Sequence, residues 1–255
     1  VSGQPDFDGG WDSIATLVDG RWVQRRPRRP EVAEQLLRET RLLPWLAPRL
    51  PLAVPVPELV TADPLVVRHL LVPGGPLERF TPECGRALGE FLRALHDCPV
   101  DEALRHGVPS AAAVTAERAD MVERFLTDVV PLLPPGRRRA ARAVLDAVAE
   151  LPADTVVHGD LGPEHVLAVD DSLTGVIDFG DSHIGDAAID LAWALHGTPP
   201  TFAEAVAATY EVTPALWARA LIWHQLGPWH EVTHGLDTED PDTARSGIAG
   251  VLRRL

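Results

Sequence analysis

His158-Gly-Asp-Leu-Gly-Pro-Glu-His165, with Asp178-Phe-Gly180 following eighteen positions after Asp160, is the stretch that decides how this chain reads. Val156-Val157 leads in as a short apolar strand. Val166–Val169 and Gly175-Val176-Ile177 read as two further strands, and Asp170-Asp171-Ser172 supplies turn chemistry between them. Such a hairpin carries His165 at the start of one strand and Asp178 at the end of the other, so both can face one ion. His-Gly-Asp alone occurs in many loops, and Asp-Phe-Gly in more. Their order, their spacing and the bridging hairpin together make coincidence a poor explanation.

The two segments resemble the catalytic loop and metal-binding triplet of kinase-fold enzymes. Protein kinases usually place Arg after the loop His and Lys two residues after the catalytic Asp; here Gly159 and Gly162 stand instead. Nor does an Ala-Pro-Glu motif follow Asp-Phe-Gly. The His-Gly-Asp form, then Gly175-Val-Ile-Asp-Phe-Gly-Asp-Ser-His-Ile-Gly-Asp186 and Asp190-Leu-Ala192, is similar to the aminoglycoside phosphotransferase family of antibiotic and small-molecule kinases. That resemblance implies Asp160 as the base for an attacking hydroxyl, His165 and Asp178 as Mg²⁺ ligands, and ATP or GTP as donor. It implies that His158, Asp186 and Asp190 brace the catalytic loop. Asn is commoner in the family at the position of His165, and magnesium prefers oxygen ligands. His165 therefore binds the ion directly, binds it through water, or hydrogen-bonds to Asp160 or a phosphate.

The amino-terminal third extends the likeness. Phe7-Asp8-Gly9-Gly10-Trp11-Asp12-Ser13 precedes Ile14–Val18, and Asp19-Gly20 turns the chain into Arg21–Arg25. Glycines in such a loop let backbone N–H groups approach phosphate oxygens, and Ser13 at its end is a candidate nucleotide contact. The family pattern calls for a Lys on the third strand, but the chain contains no Lys. Strand alternation puts Val23 and Arg25 on one face and Trp22, Gln24 and Arg26 on the other, and the family's small-apolar-then-cation pattern matches Val23-x-Arg25, so the resemblance implies Arg25 for the phosphates. Glu31–Leu46 has the apolar periodicity of a helix lying on a sheet, and Glu39 within it is the expected partner of Arg25, with Glu34 as surface. Pro51–Pro57 bridges to a strand at Leu65-Val66-Val67. His69-Leu70-Leu71 is the expected hinge beside the adenine or guanine, and Pro73-Gly74-Gly75-Pro76-Leu77 marks the crossing between lobes. The expected division is 1–72 for a nucleotide-binding lobe and 73–255 for the catalytic and substrate-binding lobe.

Beyond the crossing the periodicity predicts helices over 83–96, 111–132, 137–151, 187–196, 201–210, 214–226 and 243–255. Gly227-Pro-Trp-His-Glu231 is expected to interrupt the last of these and to line a substrate cleft. The fold class is α+β, a bilobal kinase-like fold with a small antiparallel-sheet lobe and a larger helical one. The length of 255 residues suits one such unit. No apolar run spans a membrane, and Cys84 and Cys98 read as free thiols of a cytoplasmic monomer or homodimer. The net charge of −14 argues against nucleic acid as a partner. It would draw in a cationic substrate, or it serves solubility alone. Asp181 and Glu231 are the candidate substrate carboxylates. The expected activity is nucleotide-dependent phosphorylation of a small hydroxylated molecule, most readily an aminoglycoside or other antibiotic. The alternatives are a metabolic kinase for choline, homoserine or a sugar, and a nucleotide-binding pseudokinase.

Overall fold

The computed structural model describes residues 6–7 and 13–255. The expected phosphate loop around Gly9-Gly10 lies outside the described residues. The amino-terminal part is an antiparallel sheet of β1 (Asp6–Phe7), β2 (Ser13–Val18), β3 (Trp22–Pro27), β4 (Glu58–Ala62) and β5 (Leu65–Leu70), in the order β1-β2-β3-β5-β4. Asp19 and Gly20 between β2 and β3 both have positive φ, 54° and 62°, the conformation that a two-residue hairpin needs. Opposed residues share a face, so the β3–β5 register stacks Val23 on His69 and Arg25 on Val67. Helix α1 (Pro30–Leu46) closes this inner face with Val32 and Leu36 against Val67. Its other buried apolar positions, Leu42, Leu43 and Leu46, enter the main core of the molecule.

The chain then passes through β6 (Gly75–Pro76) into the helical part: α2 (Pro82–His96), α3 (Val100–Arg105), α4 (Ala111–Arg124) and α5 (Arg138–Ala149). Strand β7 (Thr155–Val157) follows, then the hairpin β8 (Val166–Val169) and β9 (Ser172–Val176), and β10 (His183–Gly185). The β8–β9 hairpin pairs with β6, while β10 pairs with β7, so two small antiparallel sheets frame the segment 158–182. Helices α6 (Ala188–His196), α7 (Pro200–Tyr210), α8 (Pro214–Asp237) and α9 (Pro241–Arg254) complete the fold. Leu88, Phe91, Leu92 and Leu95 of α2 share one core with Leu191 and Leu195 of α6 and Phe202 and Val206 of α7.

The structure departs from the sequence reading in several places. Gly227-Pro228 does not interrupt the last helices; α8 runs through them. A mid-helix Pro frees the carbonyl four residues back, here that of His224, and the Arg254 guanidinium donates to it at 2.5 Å. Residues 111–132 form no single helix, because α4 loosens into a π turn at Phe125–Val129 and a 3₁₀ turn at Val130–Leu132. Strands β4 and β10 and the one-and-a-half-turn α3 were not expected, being too short to show a period. Strand β5 extends through His69 and Leu70, so those two residues belong to the sheet and not to a hinge loop.

Candidate active site

The loop from His158 to His165 is held by one buried carboxylate. Asp190, on α6, accepts the backbone N–H groups of His158 at 2.7 Å and Gly159 at 2.9 Å. It also accepts from His96 Nε2 on α2 at 3.0 Å, and His96 Nδ1 meets the Tyr210 hydroxyl at 2.8 Å. Burial alone would raise the Asp190 pKa, but the His96 hydrogen bond, the nearby imidazoles and the Gly159 N–H outweigh it and hold the pKa below the usual value. His158 is stapled on both sides: Nδ1 accepts the N–H of Asp160 at 3.3 Å, and Nε2 donates to the Ile177 carbonyl at 2.9 Å. The catalytic loop is thereby tied to the strand end that carries Asp178. Gly159 has φ +91°, and a Cβ there would run into the Asp181 carbonyl. Only glycine fits between His158 and Asp160.

The expected site residues form one row. Asp160 presents a carboxylate that is 65% exposed. His165 Nδ1 lies 2.7 Å from the Asp160 carbonyl and so carries its proton there, which leaves Nε2 with a lone pair 3.7 Å from Asp178 Oδ2. Asp178 adopts a left-handed backbone (φ 66°, ψ 64°) and places Oδ1 3.8 Å from Arg25 Nη2. Arg25 Nη1 donates to Glu39 at 2.6 Å and Nε to Ser13 Oγ at 3.1 Å. Glu39 is buried, and burial pushes its pKa up to about 7; the Arg25 guanidinium opposes the rise and Asp178 adds to it. One oxygen of Glu39 has no hydrogen-bond partner. Helix α1 is fixed on the Asp-Phe-Gly triplet by Arg38, which donates to the Gly180 carbonyl at 2.5 Å, and by Gln35, which occupies the space a Gly180 Cβ would need.

Among the described residues no group of three or more His, Cys, Asp or Glu side chains could hold a metal ion. The donors present nevertheless suit Mg²⁺, which takes one or two protein ligands and completes its shell with phosphate oxygens and water. Asp178 offers a hard oxygen, and the His165 lone pair is separated from it by a distance that two ligands of one ion can span.

Behind this row a cleft of about 350 Å³ runs between the sheet and the β8–β9 hairpin. Ser13, Arg25, His69, Leu71 and Asp178 line it as expected; Leu70, 49% exposed, points away from it by strand alternation. Val72, Gly74, Pro76 and Glu164 line it too, and their role was not read from the sequence, although the Pro-Gly-rich signal lay at the right place. Asp181 closes the turn after the triplet, its carbonyl accepting from His183 at 2.7 Å, and Glu231 on α8 lies near Arg254. His230, also on α8, sits close enough for the Asp160 charge to act on it: burial lowers its pKa and Asp160 opposes the change. Cys84 and Cys98 are buried free thiols, and no described helix is long and apolar enough to cross a membrane.

Residues 5–223 match the phosphotransferase enzyme family. The chain belongs to that family. Its fold overlays the GDP and kanamycin complex of APH(2")-IIia with a TM-score of 0.87 at 25% identity, over 100% of this chain and 93% of the other. It overlays the macrolide 2'-phosphotransferase MphH of Brachybacterium faecium with a TM-score of 0.77 at 25% identity, over 97% and 91%. A homoserine kinase of Granulibacter bethesdensis is 34% identical over 117 residues, which are 43% of this chain. That match spans only 34% of the homoserine kinase. The phosphotransferase is thus a bilobal kinase-like protein whose structural neighbours are antibiotic kinases, some of them GDP complexes.

Proposed function

We propose that this phosphotransferase moves the γ-phosphoryl group of ATP or GTP to a hydroxyl of a small molecule, an aminoglycoside or another antibiotic. The observation that carries the reading is the continuous row of Asp160, His165, Asp178, Arg25 and Glu39 along one edge of the cleft. Phosphoryl transfer needs a base, a metal-binding carboxylate and a cation on the phosphates within a few ångströms of one another. In this reading Asp160 accepts the proton of the substrate hydroxyl and orients it in line. Arg25, steadied by Glu39 and Ser13, grips the nucleotide phosphates. Mg²⁺, when bound at Asp178 and His165, neutralises charge on the phosphate oxygens. Residues 1–72 form the nucleotide-binding lobe and 73–255 the lobe that meets the acceptor, with the cleft between them. Two reduced cysteines and the need for a nucleoside triphosphate fit the cytoplasm.

The net charge of −14 favours a polycationic acceptor, and the likeness to kanamycin- and macrolide-modifying structures supports an antibiotic. The partial match to a homoserine kinase favours a second reading, a metabolic alcohol as acceptor. Purified protein with Mg²⁺ and ATP or GTP, assayed for nucleoside diphosphate release against aminoglycosides, macrolides and homoserine, separates the two. Turnover above the water background with an antibiotic supports the first reading. Turnover with homoserine alone replaces it by the second, and turnover with neither class overturns both.

A further inference from the structure

We propose that His69 selects the purine, making this phosphotransferase prefer adenine over guanine nucleotides; the inference rests on the reading of the cleft as the nucleotide site. His69 is 7% exposed on the inner face of β5, opposite Val23 and two residues along the register from the pair Arg25 and Val67. It lines the cleft together with Arg25, Asp178 and Glu164. With the phosphates held at Asp178 and Arg25, the edge of a purine farthest from the ribose points toward the back of the sheet. That edge carries the C6 substituent, an amino group in adenine and a carbonyl in guanine.

The imidazole is set to tell these apart. Its Nδ1 lies 2.8 Å from the Leu70 carbonyl, an acceptor only, so Nδ1 carries the proton. Nε2 is then the ring's remaining polar atom and has a lone pair and no proton. Burial lowers the ring's pKa; the Leu70 hydrogen bond opposes the change and the Arg25 charge adds to it, so the net direction favours the neutral ring. A fixed acceptor meets the adenine amino group as a hydrogen bond. Against the guanine carbonyl it sets lone pair against lone pair, with two buried polar atoms unpaired. A site of this kind discriminates by roughly tenfold to hundredfold. The preference runs against the GDP found in the structural neighbours, and those proteins are only 24–25% identical to this one.

The test is calorimetric titration of the intact protein, with Mg²⁺, against ADP, GDP, IDP and the 2,6-diaminopurine riboside diphosphate. IDP shares the C6 carbonyl of GDP without its 2-amino group, and the diaminopurine nucleotide has the reverse pattern. ADP and the diaminopurine nucleotide are expected to bind alike, with GDP and IDP roughly tenfold or more weaker. His69→Gln, whose amide can turn either its oxygen or its NH₂ to the base, is expected to close the gap by tightening GDP and IDP. IDP or GDP binding as tightly as ADP to the parent protein overturns the role of His69 and leaves the nucleotide site standing. Failure of all four to bind overturns the site and this inference together. The comparison on the parent protein decides the matter even where the variant does not fold.

Discussion

Replacing Asp190 by Ala tests whether the catalytic loop owes its shape to a carboxylate on a helix more than thirty residues away in sequence. The native side chain is fully buried and accepts three hydrogen bonds, from the N–H groups of His158 and Gly159 and from His96. Truncation strands all three donors, at about 1–3 kcal/mol for each buried group left unpaired. Partial relaxation brings the expected loss to about 3–5 kcal/mol, a large share of the roughly 5–15 kcal/mol that holds a domain folded. Asp190→Asn keeps one oxygen but turns an NH₂ toward one of the donors, so it should lose about half as much by the same reasoning. Freed from its anchor, the segment carrying Asp160 shifts, and a displacement near 1 Å costs about 10²-fold in turnover. Urea unfolding, turnover at saturating substrate and nucleotide binding are the assays, with nucleotide affinity within about threefold because Asp190 does not line the cleft. The pH dependence has a definite sign. The folded pKa of Asp190 is depressed, so its contribution is complete above the ordinary aspartate value of 3.8 and is lost as pH falls through the lower folded value. The stability gap between parent and variant therefore narrows below about pH 4. An Asp190→Ala protein within about 1 kcal/mol of the parent and within threefold in turnover would refute the bracing argument.

Four further outcomes are expected. Asp160→Ala should lower turnover by about 10²–10⁴ with nucleotide affinity nearly intact, and turnover within threefold of the parent removes Asp160 as the base. His165→Asn should retain far more Mg²⁺-dependent activity than His165→Ala, because an amide oxygen restores a hard ligand; equal losses in magnesium titrations exclude coordination. Arg25→Ala should raise the nucleotide Michaelis constant and lower turnover, whereas Arg26→Ala, on the exposed face of β3, should do little; the reverse pattern in steady-state kinetics would overturn the strand register. Glu39, with a folded pKa raised from 4.5 to about 7, contributes stability below pH 4.5 that is lost as pH rises through 7, on the order of 3 kcal/mol. Thermal unfolding of the ligand-free parent should fall relative to Glu39→Gln between pH 5 and 8, and a constant offset would show that Glu39 does not titrate there.

What was legible in the sequence depended on how local each physical constraint is. The segment 158–165 and the triplet at 178 could be read because turn, strand and ligand positions follow one another at fixed spacing. Arg25 and Glu39 could be paired because strand alternation and helix periodicity each assign a face, and the 2.6 Å contact joins those faces. The brace around Asp190 was legible only in part, since His96 and Tyr210 reach it from two other helices and leave no local pattern. Pro228 misled for the same reason: the donor that makes it tolerable, Arg254, lies 30 residues downstream of His224. Strand β10 has no period of its own and exists through its pairing with β7. Leu70 was misplaced because the end of β5 is set by pairing, Trp22 with Leu70, and not by any change in composition.

The absence of Lys gives Arg25 a task that a Lys could not perform in the same way. Its three guanidinium nitrogens address three elements: Nε donates to Ser13 on β2, Nη1 to Glu39 on α1, and Nη2 faces Asp178 at 3.8 Å. An ammonium group radiates its three donors from one atom, so its partners must converge on a point, whereas the planar fork reaches them at three separate positions. Arg25 therefore ties the sheet, the helix and the Asp-Phe-Gly triplet into one unit. The cost of that arrangement falls on Glu39, whose second oxygen is buried without a partner and whose pKa is high. A site that needs only charge neutralisation would not bury a carboxylate so expensively. One that must hold α1 against the Asp-Phe-Gly turn has reason to, and Arg38 and Gln35 on the same helix meet Gly180 at the same seam.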